Sequence, residues 1–265
     1  MCMNAYIPKK SKIIKISKHT DIEWTFTVQC DSSSTIAGQF YEISLPRYGE
    51  SPISVSGVYE DSIDFTIRNV GKVTSEIFNY NIGNSLLIRG PYGNGFDVGN
   101  YKGKELVIVA GGSGLAPVRG VIEYVYNDPD EFKNFKLIVG FKSPSDILFK
   151  TDLEKWSKKM DILVTVDSAE EGYEGNTGLV TKYIPTLQIQ DINTATCIVV
   201  GPPMMMKFSV IEFEKLNFSQ KNIWVSYERK MHCGIGKCGH CKMDSTYICL
   251  DGPVFSYDFA KNLID

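Results

Sequence analysis

The hydrophobic pattern of this 265-residue chain changes character near residue 101, and that change limits the fold more than any other feature. Before it, short β-runs succeed one another between turn residues: KIIKIS, WTFTVQC, QFYEISLP, ISVSGVYE, SIDFTIRNV and NSLLIRGPYG. Apolar and polar side chains alternate in IDFTIR, as in a strand with one buried face. Such runs, with turn clusters at regular intervals, predict an antiparallel barrel or sandwich over residues 1–100. After it, ELVIVA, FKLIVGF, DILVTVD, TCIVVG and NIWVSY are nearly continuous Val/Ile/Leu runs. Between them lie helical stretches, PVRGVIEYVYND, TDLEKWSKKM and MMMKFSVIEFEKL, with a shorter one around GLVTKYI. Strands apolar on both faces must be covered by helices on both sides, which predicts a doubly wound parallel sheet over residues 101–226. Residues 227–265 are left as a small lobe.

That lobe carries Cys233, Cys238, Cys241 and Cys249 in the order C-x4-C-x2-C-x7-C. The first three have the plant-type spacing for a [2Fe–2S] cluster, with the fourth ligand supplied from further along. Gly234, Gly236 and Gly239 allow the loop to wrap closely and bring N–H groups to the sulfurs. Zinc is the alternative, but structural zinc sites usually pair two short spacings, and only one C-x2-C occurs here. Cys30 and Cys197 flank strand-like runs and read as small buried hydrophobes, while Cys2 belongs to the terminus. His19 falls in a polar turn, and His232 and His240 flank the cluster cysteines.

Two glycine loops punctuate the parallel sheet. Ala110-Gly111-Gly112-Ser113-Gly114-Leu115-Ala116-Pro117 joins the first strand to the first helix, where a diphosphate can approach the backbone and face the helix start. Pro117 fits that first turn because its missing N–H costs nothing there. Gly201-Pro202-Pro203-Met204-Met205 follows the fourth strand and can line the same cleft; core packing is the plainer reading of its methionines. In the β-region, Gly71-Lys72-Val73-Thr74-Ser75 leads into SEIFNY, a helix start that suits an anion or an ordinary N-cap.

Composition removes other classes. The formal net charge is −3 without a long basic run, so nothing recommends nucleic acid or an anionic membrane as a partner. No apolar run approaches the ~18 residues of a membrane helix, and the N-terminus does not read as a signal peptide. With an odd count of seven cysteines, a disulfide framework is not expected; the chain reads as cytoplasmic.

In this order, GESPISVSG, GPYGNGF, GGSGLAPVRG, VGPPMMM, ERKMHCGIGKCGHCKM and YICLDGPVFSY resemble the ferredoxin–NADP reductase superfamily over essentially the whole chain. Within it the chain is most similar to the branch holding the electron-transfer subunits of dihydroorotate dehydrogenase and the B subunits of anaerobic sulfite reductase, the latter above all. The resemblance implies FAD on the barrel, a nicotinamide dinucleotide on the sheet domain, and a [2Fe–2S] cluster that passes single electrons to partner subunits. Position by position, it places Pro52, Ile53 and Ser54 against the isoalloxazine. It gives the FAD pyrophosphate to Gly71, Val73, Thr74 and Ser75, and the dinucleotide phosphates to Gly111, Gly112, Gly114 and Pro117. Gly201, Pro202 and Met205 would border the nicotinamide, and the four lobe cysteines would hold the metal.

Two positions depart from the pattern. The superfamily's flavin motif begins with arginine, where this chain has Ser51 after Glu50; Arg68 or Lys72 would have to supply the charge. A cysteine often precedes the Gly-Pro loop, where this chain has Val200. The implied activity is NAD(P)H oxidation through FAD and the cluster, with sulfite reduced on a siroheme-bearing partner subunit. Hydride transfer requires no general base, so no catalytic side chain is assigned. An electron-transfer subunit of dihydroorotate dehydrogenase or a hydrogenase is the alternative, and a relay or assembly subunit that has lost FAD is the reading Ser51 would favour. Lys142 and Ser143 could accept a 2′-phosphate or lie in a solvated loop; the donor expected is NADH.

Overall fold

In the computed structural model, which describes residues 6–263, six antiparallel strands close into the barrel. They are β1 (Lys9–Lys18), β2 (Glu23–Gln29), β3 (Phe40–Leu45), β4 (Gly49–Tyr59), β5 (Ser62–Arg68) and β6 (Ser85–Tyr92). Their order around the barrel is β1-β2-β5-β4-β3-β6, and closure leaves no free sheet edge. Phe26, Tyr41, Ile43, Phe65, Ile67, Leu86 and Ile88 fill the interior. Because side chains alternate, interior Tyr41 and Ile43 send Glu42 to the outer face of β3. Interior Leu86 and Ile88 likewise send Arg89 to the outer face of β6. Glu42 is in register with Arg89 on one side and Pro52 on the other. Between β5 and β6, α1 (Lys72–Ile77) begins three residues before the predicted SEIFNY run, because Thr74 folds back to cap Gly71.

The second region is a parallel sheet. Its main elements are β7 (Glu105–Gly111), α2 (Leu115–Asn127), β8 (Asn134–Phe141), α3 (Lys150–Trp156), β9 (Asp161–Val166), β10 (Asn176–Thr177), β11 (Thr196–Val200), α4 (Pro203–Lys215) and β12 (Ile223–Ser226). The stretch around GLVTKYI forms two 3-10 turns, Val180–Lys182 and Ile184–Thr186, because Pro185 cannot continue a helix. A two-stranded hairpin follows, β13 (Lys242–Met243) with β14 (Thr246–Tyr247), then α5 (Ile248–Asp251), β15 (Val254–Ser256) and α6 (Tyr257–Ala260). The large sheet runs β10-β9-β8-β7-β11-β12-β15.

The described residues divide into two units. One contains residues 6–96 with Tyr227–Val254 and Leu263, so the cysteine segment belongs with the barrel. The other contains Asp97–Ser226 with Phe255–Asn262. Cys197 is fully buried in β11 and Cys30 packs against the barrel core; Cys2 lies outside the described residues. No helix among the described residues is long and apolar enough to cross a membrane.

Candidate cofactor and cluster sites

The strand order of the parallel sheet reverses at β7: β8 and β9 extend one way, β11 and β12 the other. Ligands of open parallel sheets bind where the order reverses, beyond the carboxyl ends of the strands. Both glycine loops lie there, after β7 and after β11, and the geometry shows why glycine is needed. A Cβ on Gly114 would stand 2.5 Å from the Val200 carbonyl oxygen and 2.8 Å from the Gly201 Cα. A Cβ on Gly201 would meet the Gly111 nitrogen at 3.1 Å. The two loops therefore touch through backbone, as the paired reading required. Met205 lies between Gly111 and Gly201, its sulfur 2.3 Å from where a Gly111 Cβ would be. Pro117 is buried in the first turn of α2, Gly112 is half-buried, and Pro202 is exposed at the start of α4. Val200 is 5% exposed.

Lys142, just past β8, is exposed. Ser143 donates its hydroxyl to Asp146 at 2.8 Å, and Ser145 donates to Glu170 at 3.0 Å. Burial raises the nearby Asp167 carboxyl against the pull of Lys142. Acidic groups thus surround Ser143 and Ser145.

On the barrel, Pro52, Ile53 and Ser54 are half-buried on β4, opposite Glu42, Tyr41 and Phe40. At α1 the Thr74 hydroxyl accepts from the N–H groups of Val70 and Gly71 at 3.0 and 2.9 Å and donates to the Gly71 carbonyl. Ser75 donates its hydroxyl to Asn69 and its N–H to Gly71. Both hydroxyls are therefore engaged in shaping the turn. What a pyrophosphate would meet is backbone N–H at the helix start, including those of Val73 and Thr74. Arg68 instead pairs with Glu23 at 3.9 Å, and Lys72 lies over the Tyr48 ring.

The four lobe cysteines lie within reach of one another, and the Cys233 charge is felt at Cys249. Cys233 and Cys238 interact directly, as do Cys241 and Cys249. Among the described residues no group of three His, Cys, Asp or Glu side chains could hold a single metal ion, as a zinc site would need. Gly236 donates its N–H to the Cys249 sulfur at 3.2 Å, and Lys237 and Cys238 donate theirs to the Cys233 sulfur at 3.3 and 3.4 Å. Such donors stabilise thiolates and tune a cluster. Gly234, Gly236 and Gly239 all have positive φ, and a side chain at Gly234 would strike the Tyr92 ring. Burial, then the neighbouring Cys241 thiol, push Cys249 up to about 12, while the His240 backbone N–H draws Cys238 down. Iron would deprotonate both. His232 and His240 contact one another at 4.5 Å between ring centroids.

Sequence reasoning missed the polar cluster beneath this loop. Arg89, 7% exposed, donates from Nε to Glu50 at 2.8 Å and from Nη2 to the second Glu50 oxygen. It also donates to the carbonyls of His232 at 2.6 Å and Cys233 at 2.7 Å, and to the Tyr92 hydroxyl at 3.1 Å. Burial opposes the charge on Glu50, but the hydrogen bonds from Arg89 and Ser44 hold its carboxyl below the ordinary range. Glu42 is fully buried, and among the described residues neither of its carboxyl oxygens has a hydrogen-bond partner. Burial, then Glu50, push Glu42 up to about 8, more than Arg89 pulls it down. A second attachment lies nearby: Asn94 donates its side-chain amide to the Asp251 carbonyl at 2.9 Å. The available signal was alternation, which sends Glu42 and Arg89 to the outer face of the barrel.

A closed antiparallel barrel, a parallel nucleotide sheet with paired glycine loops and a four-cysteine loop define a ferredoxin–NADP reductase-like electron-transfer protein. The chain belongs to that family, close to the electron-transfer subunits of dihydroorotate dehydrogenase B and the gamma subunits of sulfhydrogenases. Residues 108–210 match the oxidoreductase NAD-binding domain, and residues 228–259 match the iron-sulfur cluster binding domain of dihydroorotate dehydrogenase B. The chain is 32% identical to sulfhydrogenase 1 subunit gamma of Pyrococcus furiosus, over 96% of this chain and 92% of that one. It is 33% identical to the probable dihydroorotate dehydrogenase B (NAD(+)) electron transfer subunit of the same organism, over 86% and 81%. A solved structure of an NADH-dependent reduced ferredoxin-NADP oxidoreductase superposes with a TM-score of 0.78 at 25% identity, covering 99% of this chain and 94% of that one. The protein is thus an NAD-binding oxidoreductase of the electron-transfer type with an iron–sulfur binding region.

Proposed function

We propose that this chain oxidises NADH through FAD and a [2Fe–2S] cluster and delivers single electrons to partner subunits of an anaerobic sulfite reductase. When bound, the flavin accepts a hydride and the cluster carries one electron at a time, so together they convert two-electron into one-electron chemistry. In this reading residues 1–100 hold FAD, residues 101–226 the nicotinamide dinucleotide and residues 227–265 the cluster. Pro52, Ile53 and Ser54 would contact the isoalloxazine, and the turn built by Gly71, Val73, Thr74 and Ser75 would present N–H groups to the pyrophosphate. Gly111, Gly112, Gly114 and Pro117 would receive the dinucleotide phosphates, and Gly201, Pro202 and Met205 would orient the nicotinamide. Cys233 and Cys238 would take one iron, Cys241 and Cys249 the other.

The observation that carries the reading is the Arg89 bridge. It runs from Glu50, the residue before the Ser51-Pro52-Ile53-Ser54 flavin motif, to the backbone of the first cluster ligand. A barrel that holds its cluster loop against its flavin strand is organised to pass electrons between them. The sulfite partner, with siroheme on another subunit, is supported by the sequence motifs alone. The relatives carry the second reading: they are subunits of a sulfhydrogenase and of dihydroorotate dehydrogenase B, and a partner of either kind would use the same donor half.

An anaerobic absorbance titration with NADH and NADPH, with flavin and iron counted in the same sample, tests the donor half. Bleaching of flavin and cluster bands together supports it. Iron without flavin, or no response to either nucleotide, would instead favour a relay that has lost FAD along with the motif arginine.

A further inference from the structure

Arg89 has five N–H donors, and all five are used. Two meet the carboxylate of Glu50 as a fork, two meet the carbonyls of His232 and Cys233, and one meets Tyr92. Lysine, with three donors on one nitrogen, cannot span these acceptors. The guanidinium is nearly buried, where its charge is weakly screened, and it lies against the backbone of a cluster ligand. Its only ion-pair partner among the described residues is Glu50. Glu42, opposite Arg89 on the neighbouring strand, makes no hydrogen bond to it.

We infer that Arg89 is the positioning residue of the cluster loop and sets the cluster's reduction potential, with Glu50 fixing how much of its positive charge the cluster feels. The inference rests on the cluster reading above. An added electron on the cluster is stabilised by a nearby cation and destabilised by a nearby anion. Removing Arg89 therefore lowers the potential, and removing the charge of Glu50 raises it. Geometry and charge separate in the conservative variant: Arg89→Lys keeps a cation but loses the hold on the two carbonyls. The same fork answers the departure at Ser51. The acid preceding the motif is committed to Arg89, so the residue before Ser51 carries an ion pair tied to the cysteine loop.

The test is an anaerobic redox titration of the full-length, cluster-loaded protein, followed by electron paramagnetic resonance, together with the rate of iron loss to a chelator. At fixed poise, Arg89→Gln is expected to lower the reduced-to-oxidised ratio about tenfold, or ~59 mV for one electron. Glu50→Gln is expected to shift the ratio upward by a similar factor. Arg89→Lys should remain within about threefold of wild type in that ratio while losing iron at least about tenfold faster, an estimate that assigns roughly one charged hydrogen bond to the hold on the two carbonyls. If Arg89→Gln fails to retain a cluster, Glu50→Gln and Arg89→Lys still decide the matter. A potential that does not rise in Glu50→Gln, or iron loss unchanged in Arg89→Lys, overturns the inference. A wild-type protein that binds no iron overturns the cluster reading instead.

Discussion

Glu42 is the residue whose ionisation works against the fold. Its carboxyl is pushed up to about 8 in the folded chain by burial and by Glu50, whereas an unfolded glutamate titrates near 4.5. The folded state therefore holds the proton more tightly. The stability that comes from this is fully present below pH 4.5 and is lost as pH rises toward about 8. Above about 8 both states are ionised and the slope disappears. Glu42→Gln removes the effect. The variant should unfold with little pH dependence between pH 5 and 8, and at pH 8 it should exceed wild type by about 3–5 kcal/mol in urea melts. A wild-type midpoint that does not fall over that range would show that Glu42 is ionised throughout. No pattern in QFYEISLP announces this, because a glutamate at an outward position of a strand ordinarily faces water. In the fold it is fully buried, beside Arg89 on the neighbouring strand and within electrostatic reach of Cys233 and Cys238, residues far away in the chain.

At the scale of elements, the contact between the two glycine loops is the most specific feature of the nucleotide cleft. Gly114→Ala would drive a methyl into the Val200 carbonyl and the Gly201 Cα, both backbone. It should lower stability by about 1–3 kcal/mol and raise the NADH KM about tenfold or more, measured by flavin reduction and thermal melts. Gly111→Ala meets the flexible Met205 side chain instead, so adding Met205→Ala should restore most of the lost stability in thermal melts; a double variant no better than the single would place the strain elsewhere. Thr74→Ala should cost about 1 kcal/mol, because it removes the group that accepts two N–H donors at the start of α1. The alternation of apolar runs announced the six barrel strands and the main strands of the sheet. Short elements escaped: β10 and β15 have two and three residues, too few for a periodic signal, and tertiary pairing alone makes them strands.

For the whole molecule, donor choice and electron delivery can be tested apart. With Asp146 and Glu170 placed around Ser143 and Ser145, NADH should exceed NADPH by about tenfold or more in kcat/KM, since an acidic surround repels a 2′-phosphate. Chelating the iron should leave NADH-driven reduction of a two-electron acceptor while lowering reduction of a one-electron acceptor about tenfold; equal loss of both would mean that the cluster also holds the flavin site together. By itself the sequence determined the order of the parts, the glycine loops and the four spaced cysteines, because periodicity, glycine and cysteine spacing are local properties that survive without a fold. Only the tertiary structure decided that Gly236 donates to the Cys249 sulfur, that Val200 and Gly114 meet, and that Arg89 joins Glu50 to Cys233. Each of these depends on residues far apart in the chain, and burial, not residue type, sets the charge of Glu42 and the reach of Arg89.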